Sequence, residues 1–268
     1  MSTIRAPAVA GMFYPEDPEE LRNMVRGFLR EAPAGGPTPK AIIAPHAGYV
    51  YSGPIAASAY ARVAAGRDRI RRVVLLGPAH RVGFRGLAAS QADAFATPLG
   101  VVPVDTATVA RLVADFPQVR YLDEAHALEH SLEVHLPFLQ EVLDDFTLVP
   151  LVVGEAGADE VDEVLEALWD GPETLIVISS DLSHYHDYET ARRLDARTSR
   201  AIEALRPQDI YYENACGRNP VNGLLKAARE HGLRVNTVDL RNSGDTAGPR
   251  DQVVGYGAYV FEEHEQAA

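Results

Sequence analysis

A chain of 268 residues, 46% hydrophobic and 24% charged, has the balance of an ordinary globular protein able to bury a sizeable core. Its formal net charge of -13 disfavours non-specific attraction to nucleic acid or an anionic membrane surface, and no Lys/Arg-rich run offsets it. The single cysteine, Cys216, excludes an intramolecular disulfide framework. No apolar stretch approaches the roughly 20 residues needed to cross a bilayer. The opening Met1-Ser2-Thr3-Ile4-Arg5-Ala6-Pro7 lacks the apolar core of a signal peptide, so a cytoplasmic location is expected.

The first predicted element is a helix beginning near Asp17-Pro18-Glu19-Glu20, where acids occupy the first turn and Pro18 stands where no N–H is needed. Leu21, Met24, Val25 and Leu29 then recur at helical spacing. A Pro/Gly-rich linker, Ala32 to Pro39, precedes the first core strand, Ala41 to Ala44. Further apolar runs follow at Val73 to Leu76, Leu148 to Val153 and Thr174 to Ile178. They are continuous rather than alternating, as central strands covered on both faces require. Between and after them, Pro54 to Ala64, Thr106 to Asp115, Ser131 to Leu143, Ala158 to Trp169, Tyr188 to Leu205 and Val221 to His231 read as helices. Leu233 to Leu240 and Gln252 to Phe261 read as late strands. The order predicts one α/β domain over residues 1–268, with a central mainly parallel or mixed sheet flanked by helices.

Three apolar runs end alike. They lead into Pro45-His46, Gly77-Pro78-Ala79-His80 and Ser179-Ser180-Asp181-Leu182-Ser183-His184. Each places a histidine just past the carboxyl end of a core strand, the edge where open α/β sheets bind ligands. Asp181 is a candidate base or histidine-orienting group. Cys216 precedes a helix that Asn219 would cap and Pro220 would open, a position that lowers a thiol pKa and readies it for metal binding or attack. His130 and Glu133 would share a helix face, suiting them to orient a ligand or substrate or simply to cap the helix. Tyr49 and Tyr51 would line the pocket, with Gly48 and Gly53 letting the backbone approach a ligand. His135 is read as packing; His126, His186, His231 and His264 are read as solvent-facing.

These residues resemble the ordered motifs of the Memo family: Ala10-Gly11-Met12-Phe13-Tyr14, Ala44-Pro45-His46-Ala47-Gly48-Tyr49, Gly77-Pro78-Ala79-His80, Glu129 to Pro137, Ser179-Ser180-Asp181 with His184, and Cys216-Gly217-Arg218-Asn219-Pro220. The resemblance implies a fold similar to class III extradiol dioxygenases, which open catechol-type rings with non-haem iron. It places His46 and His80 as metal ligands, Cys216 in the third ligand position and His184 as acid/base histidine. Extradiol enzymes carry a carboxylate where Cys216 falls, and a thiolate shifts preference toward softer metals. One metal ion is therefore implied, iron(II) or copper, with zinc as a further option. The resemblance also implies a small-molecule or peptide ligand, and a radical-SAM protein and an AMMECR1-like protein as partners.

Three functions are expected in order: a metal-dependent oxidoreductase with His184 and Asp181 moving protons; a non-catalytic metal- or peptide-binding protein on the same scaffold; and a metal-free hydrolase using Cys216 with a histidine.

Overall fold

The computed structural model describes residues 3–33 and 35–263, so His264 lies outside the described residues. In chain order the first elements are β1 (Ile4–Arg5), α1 (Pro18–Glu31), β2 (Ala41–Ala44), α2 (Tyr49–Val63), β3 (Arg72–Pro78), β4 (Leu87–Ala89) and β5 (Ala94–Thr97). Next come β6 (Gly100–Pro103), α3 (Thr106–Asp115), β7 (Val119–Tyr121), α4 (Asp123–Ala127), α5 (Leu136–Val142), β8 (Thr147–Val153) and α6 (Ala158–Ala167). The chain continues through β9 (Thr174–Ser179), β10 (His184–His186), α7 (Tyr188–Glu203), α8 (Arg218–Glu230), β11 (Arg234–Asn242) and β12 (Val253–Glu262).

The main sheet runs β10-β12-β2-β9-β3-β8-β4-β7, with β11 also paired to β12. Its centre, β2-β9-β3-β8, is parallel, while β12 and β4 join it antiparallel; the sheet is mixed. Every residue of β2 and β9 is buried, as their uninterrupted apolar runs predict. Helices cover the sheet: α2 packs on β2, β11 and β12, α7 on β11 and β12, and α8 on β3 and β9. A small sheet, β1-β5-β6, sits beside the main one. No helix among the described residues is long and apolar enough to cross a membrane.

Two segments depart from expectation. Helix α2 starts five residues before Pro54, because the Tyr49 amide donates to the Phe13 carbonyl at 2.7 Å and the Tyr49 ring is buried against Tyr14 and Phe138. Residues 131–143 are not one helix: a 3-10 turn at Glu133–His135 precedes the short α5. Side-chain bonds out-compete helical ones here. Ser131 Oγ donates to Pro78 O at 2.8 Å, drawing the chain onto β3, where Gly77 leaves room: a Cβ there would lie 2.9 Å from Leu132 and Ser131 side-chain atoms.

Glu133 is fully buried and both carboxylate oxygens are used. Arg5 pairs with one, the Ala8 amide donates to the same oxygen at 2.7 Å, and the Val9 amide (3.0 Å) and Tyr14 hydroxyl (2.6 Å) donate to the other. Arg5 also donates to the His126 and Glu129 carbonyls. Glu133 therefore ties the N-terminal segment to the 126–135 segment rather than facing a ligand. Glu133→Ala leaves the buried Arg5 guanidinium without its counter-charge and three further donors unpaired, and is expected to cost about 3–5 kcal/mol, read from urea denaturation.

Candidate metal centre

Strands β2, β9 and β3 are parallel neighbours with Ala44 opposite Ser179, so their carboxyl ends emerge side by side. His46 and His80 follow β2 and β3 at this edge, and the 129–131 segment is pulled over it by Ser131. The result is a triangle of imidazoles. The ring centroids of His46 and His80 lie 5.1 Å apart, His46 and His130 5.4 Å, and His80 and His130 4.6 Å. One nitrogen from each lies within 4.8 Å of the other two. His46 is buried, His130 partly so, and His80 opens toward solvent.

Hydrogen bonds orient two of the rings. His46 Nδ1 lies 2.6 Å from Ser179 Oγ, and that hydroxyl donates to the Ser131 carbonyl at 2.6 Å. With its proton committed, Ser179 can only accept, so His46 carries its proton on Nδ1 and leaves Nε2 bare. His80 Nδ1 meets Glu129 Oε1 at 2.9 Å, and Glu129 also accepts from the backbone amides of His80, His130 and Ser131. Burial pushes the Glu129 carboxyl up, but the His80 ring and these amides pull it down to about 2. A histidine whose outer nitrogen donates to a carboxylate or hydroxyl is held as metal-ligating histidines are. The His130 ring packs tilted against Phe13, centroids 4.7 Å apart, and its buried Nδ1 lies 3.4 Å from Glu129 Oε1 without a hydrogen bond.

Burial, followed by the neighbouring histidines, holds His46 well below the ordinary imidazole value. Burial likewise takes His130 down to about 4. Both are neutral near pH 7, the form that coordinates metals. Three converging imidazoles, two of them with Nδ1 protons held by Ser179 and Glu129, are a donor set that fits a transition-metal ion.

Cys216 Sγ lies 3.3 Å from His46 Nε2 but outside the three-histidine group. Its loop is fixed by the Asp181 amide, which donates to Sγ at 3.3 Å, and by the Gly217 amide on Ser180 Oγ at 3.0 Å. Gly217 is needed for this approach: a Cβ would sit 2.4 Å from the Ser179 carbonyl. Helix α8 begins at Arg218 with Gly217 as its cap, and Asn219 donates instead to the Gly154 carbonyl at 2.8 Å. The expected drop in the thiol pKa is not found. Burial pushes Cys216 up, and the nearby Asp181 adds to the shift, outweighing the helix terminus.

Asp181 is buried, accepts the His46 amide at 2.8 Å and places its other oxygen 3.9 Å from His46 Nε2. Burial raises it to about 7 against the lowering effect of that amide bond. His184, in β10, bonds the Leu182 carbonyl through Nδ1 at 2.8 Å; burial lowers its pKa against that bond, and His80 lowers it further.

The two tyrosines part company. The Tyr49 hydroxyl donates to the Val134 carbonyl at 2.6 Å inside the core and does not line the pocket, whereas Tyr51 is exposed. Gly53 abuts the Phe28 ring, not a ligand. His126 is buried beside the Ala88 carbonyl at 2.9 Å, correcting its assignment to the surface. His186 is half-buried in β10, while His231 stacks on Trp169. His135 is buried and bonded to Tyr60 at 2.8 Å. Sequence reasoning missed Glu129 and Ser179, though both adjoin named motif residues and have the chemistry to orient imidazoles. A second acidic grouping, Asp162, Glu166 and Glu230, is already served by Lys226, 2.8 Å from Asp162.

A family model described as Memo-like protein matches residues 5–260. The chain belongs to the Memo-like family. Proteins named as members of the MEMO1 family share 37% identity in Aquifex aeolicus (96% of this chain, 99% of that one) and 39% in Aeropyrum pernix (95% and 98%). An uncharacterised protein of Escherichia coli K12 superposes with a TM-score of 0.56 at 16% identity, covering 82% of this chain and 98% of that one, which shows a shared fold. The histidine cluster is thus a feature of a Memo-like chain.

The shifts set a pH dependence for the metal-free protein. His46, His126, His130, His135 and His184 have lowered folded-state values, so their contribution is present at neutral pH and lost as pH falls below about 6.5. Asp181 and Asp195 are raised, to about 7 and about 6, so theirs is present at acid pH and lost as pH rises through those values. Five groups oppose two, so net acid destabilisation between about pH 6.5 and 4 is expected. Asp181→Asn should gain stability relative to wild type at pH 8 compared with pH 5, read by urea denaturation with chelator present.

Proposed function

We propose that the protein is a metal-dependent oxidoreductase in which His46, His80 and His130 hold one iron(II) or copper ion, with zinc as a redox-inert occupant. The observation that carries this reading is the convergence of three imidazole nitrogens within 4.8 Å at the carboxyl edge of a parallel sheet. When bound, such an ion supplies Lewis acidity and, for iron or copper, one-electron chemistry.

The chain's own residues do the rest. Ser179 and Glu129 keep the His46 and His80 protons on Nδ1, away from the pocket. Asp181, with its pKa near 7, can hold or release a proton at neutral pH beside His46. His184 bonds outward through Nδ1, leaving Nε2 as the acid/base nitrogen. The thiol of Cys216 adds an oxidisable group 3.3 Å from His46 Nε2. The exposed His80 side opens the cluster to a small-molecule or peptide ligand.

Metal content after anaerobic purification tests the site. Near-stoichiometric iron or copper is expected in wild type, falling at least tenfold in His46→Ala, His80→Ala and His130→Ala. Cys216→Ser should retain metal, because the thiol lies outside the triangle; loss of metal in that variant would add Cys216 to the ligand set. Oxygen uptake with a catechol panel then tests the reaction. Stoichiometric metal with no turnover would favour a metal-binding protein without catalysis, and no metal after anaerobic loading would overturn the reading.

A further inference from the structure

Beside Cys216 lies a cavity of about 110 Å³ whose walls include Ala79, Val82, Phe84, Pro220 and Arg218. Its volume equals about four water molecules of liquid, room for roughly a four-carbon body. One wall is the Cys216 thiol, 3.3 Å from His46 Nε2, and another is Ala79, which precedes His80 in the chain. Most of the lining is apolar. The exceptions are Arg218, Asn219 and Glu155, with the Tyr212 ring and the Cys216 thiol.

Arg218 is half-buried, and among the described residues its guanidinium makes no ion pair and no side-chain hydrogen bond; its one side-chain partner is the Tyr212 ring, 5.8 Å from Cζ. In a chain with 38 acidic and 25 basic residues, a partly desolvated cation without a carboxylate is out of keeping with its surroundings. A larger cleft of about 510 Å³ shares Arg218, Asn219 and Glu155 with the inner cavity and adds Arg85, which also lacks an ion pair among the described residues. Of the two glutamates on this cleft, Glu155 is exposed on the rim and Glu160 accepts the Gly157 amide at 2.8 Å. The Asn222 Oδ1, on the same cleft, is buried without a partner. Arg218 therefore lines both the larger cleft and the mostly apolar cavity beside Cys216.

We propose that this cavity is a substrate subsite for a small apolar body bearing an anionic group, carboxylate or phosphate, with the anion on Arg218 and the body directed at Cys216 and the histidines. A guanidinium fork pairs with either anion in a bidentate manner. The inference rests on the metal-site reading only in taking the histidine edge as the place of reaction.

The test is binding of butyrate, propyl phosphate and the neutral isostere butyramide to the full chain, as purified and after chelation, followed by calorimetry and backbone amide shifts. Butyrate or propyl phosphate should bind with Kd on the order of millimolar, shift the amides of Ala79 and Arg218 to Asn219, and outcompete butyramide at least tenfold. The preferred probe identifies the head group. Arg218→Gln should abolish the preference for the anion, and Arg218→Lys should keep part of it. Equal binding of butyrate and butyramide, retention of the preference in Arg218→Gln, or no binding of either anion at tens of millimolar overturns the proposal. Anion binding that survives chelation, in a protein that consumes no oxygen, would leave this subsite standing while the oxidoreductase reading fell.

Discussion

The parallel pairing of β9 between β2 and β3 is the constraint on which the site depends. Because Ala44 lies opposite Ser179, the residues just past β9 sit beside those just past β2. Ser179, Ser180 and Asp181 then do three neighbouring jobs: Ser179 fixes the His46 ring, Ser180 anchors the Cys216 loop through Gly217, and Asp181 holds the His46 backbone and the Cys216 sulfur. A register slip in β9 would separate these partners at once, while most of the apolar core could still form.

A second layer of support comes from the 126–135 segment. It carries His130 into the triangle and Glu129 behind His80, and it is held by two distant parts of the chain. Ser131 ties it to the end of β3, and Glu133 ties it to the N-terminal segment through Arg5, Tyr14 and two amides. Phe13, from that same N-terminal segment, packs on the His130 ring. The buried Glu133 ion pair thus acts on the site through position, by fixing where the His130 loop can lie.

The electrostatics follow from this burial. Desolvation keeps His46 and His130 neutral, raises Asp181 toward neutrality and holds the Cys216 thiol protonated. The same low-dielectric edge therefore offers ligands in their coordinating form and a carboxyl able to exchange a proton near pH 7. Arg218 brings a positive charge to the lining of the adjoining cavity, which Cys216 also lines.

The sequence alone determined much of this. Continuous apolar runs identified the central strands because both faces of a parallel strand are buried, and the positions of His46, His80 and His184 after such runs pointed to the carboxyl edge. Motif order was enough to suggest the Memo family. Other features were decided only by tertiary contacts. His130 joins the triangle, and Glu133 does not face a ligand, because the 131–135 stretch obeys long-range bonds from Arg5, Tyr14 and Ser131 rather than its own helical periodicity. Tyr49 turns into the core to reach the Val134 carbonyl. Cys216 titrates upward because burial, which no local motif records, outweighs the helix terminus beside it. Local pattern fixes which face of an element is apolar; which polar groups meet depends on contacts between residues 53 to 128 positions apart, and those exist only once the sheet has closed.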